Sequence, residues 1–360
     1  MIKIMIVIGT RPEAIKMVPL ALALGRDSRF DYRVVLTGQH KEMAREVLRE
    51  FNVGFHYDLN LMKMDQTLND LAGDIFKEIQ KTYLDYKPEM VLVQGDTTTT
   101  LVAAVASFYM KIPVGHVEAG LRTPDKRLPF PEEMNRRLVS QIADLHFAPT
   151  ERNKARLLDE TIPADGIVVT GNTVIDVMKA AVDGMQDSFE YPFVVVTSHR
   201  RDNYDTGIKN ICLTIRELAV LYPAVKFFFV LHPNPNIKKV VVNSFDDISN
   251  VILLDPQPYK KFLLMLIRSR MVITDSGGIQ EEAYSLGVPL IILRNETERT
   301  EVLDSRYVFL TGTDRDKILA AFKEFIQIEK AETSSLSETF GKGNTSELIL
   351  NKIEKYFGGL

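Results

Sequence analysis

The chain has 360 residues, 45% hydrophobic and 26% charged, enough for two domains with sizeable cores and ordinary for a soluble protein. Its net charge of −4 argues against non-specific nucleic-acid binding, and no apolar stretch approaches the length of a membrane span. One cysteine, Cys212 in the apolar run ICLTI, excludes a disulfide framework within the chain; the N-terminal apolar run is too short for a secretory leader, so a cytoplasmic protein is expected.

Short β-rich runs alternate with helical patterns from end to end. IKIMIVI (2–8) reads as a buried strand followed by a helix from Pro12, and YRVVLT (32–37), MVLVQ (90–94), IPVGHV (112–117) and DLHFAP (144–149) repeat the arrangement. After Gly171 it begins again with FVVVTS (193–198), KFFFVL (226–231), NVILLD (250–255), MVITD (271–275) and PLIIL (289–293). Continuous apolar strands separated by helices imply parallel sheets covered on both faces. There are too many for one comfortable sheet. The expected fold is α/β, two Rossmann-like doubly wound domains at 1–171 and 191–344, with 172–190 connecting them and DGMQDSFEYP (183–192) as the linker. ELILNKIEKYF (347–357) has helical periodicity. Such domains bind ligands at the carboxyl ends of their strands, so a cleft between them is the expected site.

The polar residues that interrupt this pattern cluster at those strand ends. In GTRPEAIKMVP (9–19), Arg11 and Lys16 sit at a helix start, where cations oppose the dipole unless an anion binds; solvated surface charge is the plainer explanation. GDTTTT (95–100) puts Asp96 after a strand, as a helix cap or a reactive carboxylate. Glu118 follows the next strand with no obvious structural duty. PEEMNRR (131–137) places Glu132 and Glu133 at a helix start with Arg136 four residues beyond Glu132, as reactive groups or as a dipole-complementing first turn with a surface ion pair. His199 in TSHRRDN and His232 in LHPNP also follow strands, where either could be purely structural. The charged stretch RNETERTE (294–301) could be a solvated loop.

TDSGGIQEEAYSLGVP (274–289) is the most informative stretch. Ser276, Gly277 and Gly278 open a helix whose backbone N–H groups and dipole suit phosphate, or they form a plain tight turn. The two acids behind them fit a nucleotide: phosphate needs donors, and the adjoining ribose diol needs an acceptor one turn further on. No cysteine cluster, close histidine pair or Asp-x-Asp pair suggests a metal, and none is expected.

Taken together, GTRPEAIKMVPL, GDTTTT, IPVGHVEAGLRT, PEEMNR, GNTVID, SHRR, HPNP, TDSGGIQEEAYSLGVP and TER, in this order from residue 9 to about 299, resemble the non-hydrolysing UDP-N-acetylglucosamine 2-epimerases. The resemblance implies the GT-B arrangement of two Rossmann-like domains facing a cleft, with the C-terminal helix, 345–357, returning to the first domain. It implies interconversion of UDP-N-acetylglucosamine and UDP-N-acetylmannosamine by anti elimination of UDP to 2-acetamidoglucal and re-addition, with no cofactor. Asp96, Glu118, Glu132 and His199 then carry over as catalytic residues. Arg11, Lys16, Arg136, His232, Ser276, Gly277, Gly278 and Arg299 carry over as substrate contacts, and Glu282 as the ribose ligand. Gln39, His40 and Gln66 match an allosteric site at which Glu42 and Asp65 replace a common Gln and Arg, so weak or absent activation is expected. Separately, TERTEV (297–302) stands where TERPEG is common, so that loop is expected to differ. A homodimer is also expected, with no nucleic-acid or membrane partner. A modified UDP-sugar, such as a UDP-2,3-diacetamido-uronic acid, is the alternative substrate, and a GT-B glycosyltransferase the alternative class.

Overall fold

A computed structural model describes residues 1–39, 41–63, 65–182, 193–198, 206–231, 234–328 and 338–358. The chain forms two units, Met1–Lys179 with Phe340–Leu360, and Ala180–Thr339.

The first unit holds strands β1 (Ile2–Ile8), β2 (Phe30–Leu36), β3 (Tyr57–Asp58), β4 (Met90–Gln94), β5 (Val114–Val117), β6 (Leu145–Ala148) and β7 (Ile167–Val169). They form one parallel sheet in the order β3-β2-β1-β4-β5-β6-β7. Its helices are α1 (Arg11–Arg26), α2 (Lys41–Glu50), α3 (Leu68–Tyr86), α4 (Thr98–Tyr109), α5 (Glu132–Ile142), α6 (Glu151–Asp159) and α7 (Thr173–Val182). The strand order reverses direction at the β1–β4 pair, and such a switch point opens a crevice at the strands' carboxyl ends.

The second unit repeats the plan with β8 (Phe193–Thr197), β9 (Lys226–Val230), β10 (Val251–Leu254), β11 (Met271–Thr274), β12 (Leu290–Ile292) and β13 (Val308–Leu310), ordered β10-β9-β8-β11-β12-β13. Helices α8 (Thr206–Leu221), α9 (Pro235–Asn243), α10 (Tyr259–Arg268), α11 (Gly277–Ser285) and α12 (Arg315–Phe325) connect these strands or follow the last of them. The switch point lies between β8 and β11, where Ser198 donates to Asp275 Oδ2 at 2.9 Å.

The central strands are buried apolar runs, as their composition predicts. Phe227, Phe229, Phe322 and Phe325 pack with the β8 and β11 valines and isoleucines in one unit; Met5, Val7, Val91, Val93, Ile75 and Ile79 do so in the other. Three strands lacked a sequence expectation, β3, β7 and β13. Each is an edge strand of two or three residues, too short to show a period.

The domain limits differ from the expected ones. The first unit continues through Lys179, inside α7, and takes up the chain again at Phe340. The cause is local: the Asn172 N–H donates to the Phe340 carbonyl at 2.7 Å, and the Phe340 ring is buried. The last helix, α13 (Thr345–Gly358), packs on α1, and Asp176 of α7 accepts from the Thr345 and Ser346 N–H groups at its start at 3.0 and 2.8 Å. The expected linker, 183–192, lies outside the described residues. Cys212 is buried and free.

Candidate active site

In the first unit, the turn after β1 leads into α1 through a capping box. Thr10 accepts from the Glu13 N–H, and Glu13 accepts from the N–H groups of Gly9 and Thr10 at 3.0 and 2.6 Å. The other Glu13 oxygen accepts from the hydroxyls of Thr97 and Thr100 at 2.8 and 3.0 Å, so one buried carboxylate joins the β1–α1 turn to the β4–α4 turn. Burial pushes the Glu13 carboxyl up from its ordinary range, against the hydrogen bonds it accepts.

Asp96 sits in the β4–α4 turn, half-exposed. Its backbone carbonyl accepts from Asn135 Nδ2 at 2.9 Å, and its carboxylate pairs with Arg136. The Arg136 guanidinium is buried, and also donates to Glu133 at 3.1 Å. Glu133 is fully buried and further accepts from Arg137 at 2.7 Å and from the Thr123 N–H at 3.0 Å. Arg136 is therefore a buried link between α5 and the β4–α4 turn, not a surface cation. Glu132, the first residue of α5, is half-exposed beside it in sequence.

Glu118 follows β5 and is buried. One oxygen pairs with Lys16 of α1 and accepts from Asn172 Nδ2 at 3.1 Å; the other accepts from Gln94 at the end of β4. Its backbone φ is 66°, a left-handed conformation uncommon for a side chain of this size. Such strain persists only where the surroundings impose it, and it clusters at functional sites. Two residues earlier, buried His116 lies with Nε2 2.7 Å from the Gly95 carbonyl, so that nitrogen carries the hydrogen. Burial drives its pKa down to about 3, leaving the ring neutral. Arg11 opens α1, half-buried, one turn before Lys16.

In the second unit, the Thr274 hydroxyl accepts from the Ser276 N–H at 3.0 Å, and α11 begins at Gly277. The Ser276 side chain makes no capping hydrogen bond, so the first turn is not closed off by its own cap. Ser276, Gly277 and Gly278 are half-exposed. The two acids behind them have different duties. Glu281 is fully buried and takes Arg299 Nε at 2.7 Å, whereas Glu282 accepts from the Tyr259 hydroxyl at 3.0 Å. Arg299 also pairs with Glu298, which pairs with Arg294 at 2.7 Å, and Thr297 donates to Gln280 at 2.7 Å. Thr297, Glu298 and Arg299 are thus docked on α11, not a solvated loop. A Cβ on Gly277 would lie 2.5 Å from Arg299 Nη1, which accounts for the glycine there.

Three expected residues, His199, His232 and His40, lie outside the described residues. Of the expected allosteric set, Gln39 accepts from the Thr99 hydroxyl at 3.0 Å, and Gln66 is tied to Lys63 N and Asp74 at 3.2 and 3.0 Å. Glu42 pairs with Arg45 at 2.8 Å, and Arg45 also holds Asp58. Sequence reading singled out none of Gln94, Asn172 and Tyr259, and it read Glu133 only as an acid at a helix start. The signal for Gln94 was position, at the carboxyl end of an expected strand; Asn172 follows the short edge strand β7, which shows no period, and Tyr259 had none. Among the described residues no three His, Cys, Asp or Glu side chains group to hold a metal, and no helix is long and apolar enough to cross a membrane.

A family model described as UDP-N-acetylglucosamine 2-epimerase matches residues 22–354. The UDP-N-acetylglucosamine 2-epimerase of Neisseria meningitidis serogroup A is 42% identical, over 98% of this chain and 99% of its own. The crystal structure of a Neisseria meningitidis UDP-GlcNAc 2-epimerase bound to UDP-GlcNAc matches with a TM-score of 0.92 at 41% identity, covering 98% of this chain and 100% of that one. That of Methanocaldococcus jannaschii, in complex with UDP-GlcNAc and UDP, matches with a TM-score of 0.90 at 33% identity, covering 99% and 100%.

Proposed function

Because the chain belongs to the UDP-N-acetylglucosamine 2-epimerase family, we propose that it interconverts UDP-N-acetylglucosamine and UDP-N-acetylmannosamine. The observation that carries the reading is the pairing of two carboxylates with two buried cations at the carboxyl ends of β4 and β5, Asp96 with Arg136 and Glu118 with Lys16. The proton on carbon 2 is poorly acidic. It becomes removable as the bond from carbon 1 to the diphosphate breaks and positive charge grows on the ring. Anti elimination takes that proton onto a carboxylate, forms the carbon 1–carbon 2 double bond of 2-acetamidoglucal, and releases UDP with the bonding pair. Re-addition returns UDP to carbon 1 and delivers a proton to the opposite face of carbon 2. Two faces need proton-transfer groups on both sides.

Glu118, with both oxygens engaged by donors, is suited to remain a fixed negative charge facing the developing cation. Asp96 and Glu132, each partly open to solvent, are suited to exchange protons. In the second unit, the N-terminus of α11 takes the diphosphate and Glu282 the ribose hydroxyls, with Tyr259 orienting its carboxylate. Arg11, with His232 from outside the described residues, completes the proposed substrate contacts, His199, also outside them, is kept as a catalytic residue, and Arg299 acts by bracing α11. The reading extends to a cytoplasmic homodimer that works without metal or cofactor. Turnover should persist in chelator without added nicotinamide, and sedimentation should give twice the chain mass. The acids Glu42 and Asp65 disfavour a second diphosphate beside the first, so UDP-N-acetylmannosamine should be consumed without a lag. A lag abolished by traces of UDP-N-acetylglucosamine would contradict that part.

The test of the main reading is turnover of Asp96→Asn, Glu118→Gln and Glu132→Gln beside their affinity for UDP. General acid–base groups typically contribute about 10²–10⁴-fold and a preorganised electrostatic group about 10²–10³-fold, so each variant should lose turnover on that scale while still binding UDP. Near-normal turnover in all three would remove the mechanism.

A further inference from the structure

The stretch GNTVID (171–176) supplies one of the donors on Glu118, and it also joins that carboxylate to the returning end of the chain. Asn172 is buried. Its Oδ1 accepts from the Val174 N–H at 3.0 Å, which fixes the amide so that Nδ2 points to Glu118 at 3.1 Å. The Asn172 N–H donates to the Phe340 carbonyl at 2.7 Å. Gly171 lies so close to the returning segment that a Cβ there would come within 2.8 Å of Gly341 Cα and of the Phe340 carbonyl. Four residues beyond Asn172, Asp176 accepts from the Thr345 and Ser346 N–H groups and from the Ser346 hydroxyl at 3.0, 2.8 and 2.7 Å. The motif therefore seats the returning segment on one side and touches Glu118 on the other.

We infer that Asn172 is a positioning residue for Glu118, and that seating of the returning segment 340–346 on residues 171–176 holds it there. The inference rests on the epimerase reading only for what Glu118 does in turnover. Among the described residues, the Lys16 ammonium from α1, the Gln94 amide from β4 and the Asn172 amide before α7 donate to Glu118, and the buried neutral ring of His116 from β5 lies within its electrostatic reach. All three of these groups donate to the carboxylate, and an ionised carboxylate only accepts. Removing one donor therefore makes the ionised form harder to keep.

The experiment is a carbon-13 titration of the intact protein labelled at glutamate carboxyls, with the Glu118 signal identified by its loss in Glu118→Gln. Asn172→Ala should raise the Glu118 midpoint by about one pH unit. Asn172→Asp keeps the acceptor for Val174 but sets a second carboxylate against the first, and should raise it further. Asp176→Asn, which touches only the returning helix, should move the midpoint in the same direction by less. In the epimerisation assay, the acidic limb of kcat/KM should shift upward with the midpoint, and kcat should fall about tenfold with KM nearly unchanged. Variants that melt earlier and turn over more slowly with the Glu118 midpoint unmoved would reduce Asn172 to a structural role and overturn the inference. An unmoved midpoint in Asp176→Asn would overturn the part played by the returning segment, also where the Asn172 variants do not fold. A wild-type chain that titrates as described but does not epimerise would leave Asn172 in place and remove the proposed function alone.

Discussion

Arg136 donates to Asp96 with one amino group and to Glu133 with the other, so a single buried guanidinium fixes α5 against the turn that carries Asp96. Removing one member of a buried charge pair typically costs about 3–5 kcal/mol because the partner is left uncompensated. Here Glu133 keeps Arg137 and the Thr123 N–H, and Asp96 has access to solvent. Arg136→Met should therefore lose about 3 kcal/mol in urea unfolding, the low end of that range, together with most turnover. Arg136→Lys should recover stability better than turnover, since a point charge cannot reach both acids in the same geometry. An unchanged unfolding midpoint in Arg136→Met would contradict the link.

The central strands could be read from composition because each is an apolar run buried on both faces, and the candidate site because charges interrupt such runs at the strand ends. Asp96, Glu118 and Ser276–Gly278 stand out this way. What could not be read was which partner each charge finds. Lys16 and Glu118 are 102 residues apart, and their pairing depends on β1 and β5 flanking β4. Which of the neighbours Glu132 and Glu133 turns inward depends on the phase of α5 against the sheet. Gln94, Asn172 and Tyr259 are uncharged and carry no electrostatic signature in sequence, although two of them hold Glu118 and the third holds Glu282. The edge strands escaped for a different reason: two or three residues cannot display a period.

The two glycines that open α11 should respond differently. Gly277→Ala drives a methyl group into Arg299, which Glu281 and Glu298 hold in place, so both stability and UDP affinity should drop. A Cβ on Gly278 meets nothing within 4 Å. Gly278→Ala should fold at least as stably as the parent, since alanine is the better helix former by up to about 1 kcal/mol. Its UDP affinity should still fall about tenfold, because the proposed diphosphate site uses the bare backbone there. Calorimetric titration with UDP beside thermal melts separates the two effects. Unchanged UDP affinity in Gly278→Ala would move the diphosphate away from this turn.

The division of labour between Glu281 and Glu282 can be read from ligand fragments. Glu282→Gln should weaken UDP about tenfold or more, on the scale of a hydrogen bond to a charged group, and leave pyrophosphate binding almost unchanged. Tyr259→Phe removes only the hydroxyl that orients Glu282 and should weaken UDP by a smaller factor in the same pattern. Equal losses for UDP and pyrophosphate would assign Glu282 to the fold of α11 instead of the ribose.

Acid stability should carry the imprint of two buried histidines. Burial lowers the pKa of His116 to about 3 and lowers that of His146. An unfolded histidine protonates near pH 6.5. Above that pH neither state binds the proton and the contribution is complete. Below it the unfolded chain takes up protons that the folded chain refuses, and stability falls until the folded His116 itself protonates near 3. Each histidine should steepen the loss by up to about 1.4 kcal/mol per pH unit. Urea unfolding of His116→Gln between pH 7 and 4.5 should show a shallower slope than the parent; an identical slope would mean that the ring is protonated in the folded state.

The central claim, inversion at carbon 2 through proton removal and return, is tested most directly by incubating the intact protein with UDP-N-acetylglucosamine in D₂O and following carbon 2 by proton NMR. The account predicts UDP-N-acetylmannosamine carrying deuterium at carbon 2, with traces of free 2-acetamidoglucal and UDP released along the way. UDP-N-acetylmannosamine that retains the original proton, or sugar lost only to an added acceptor with no epimer formed, would contradict it.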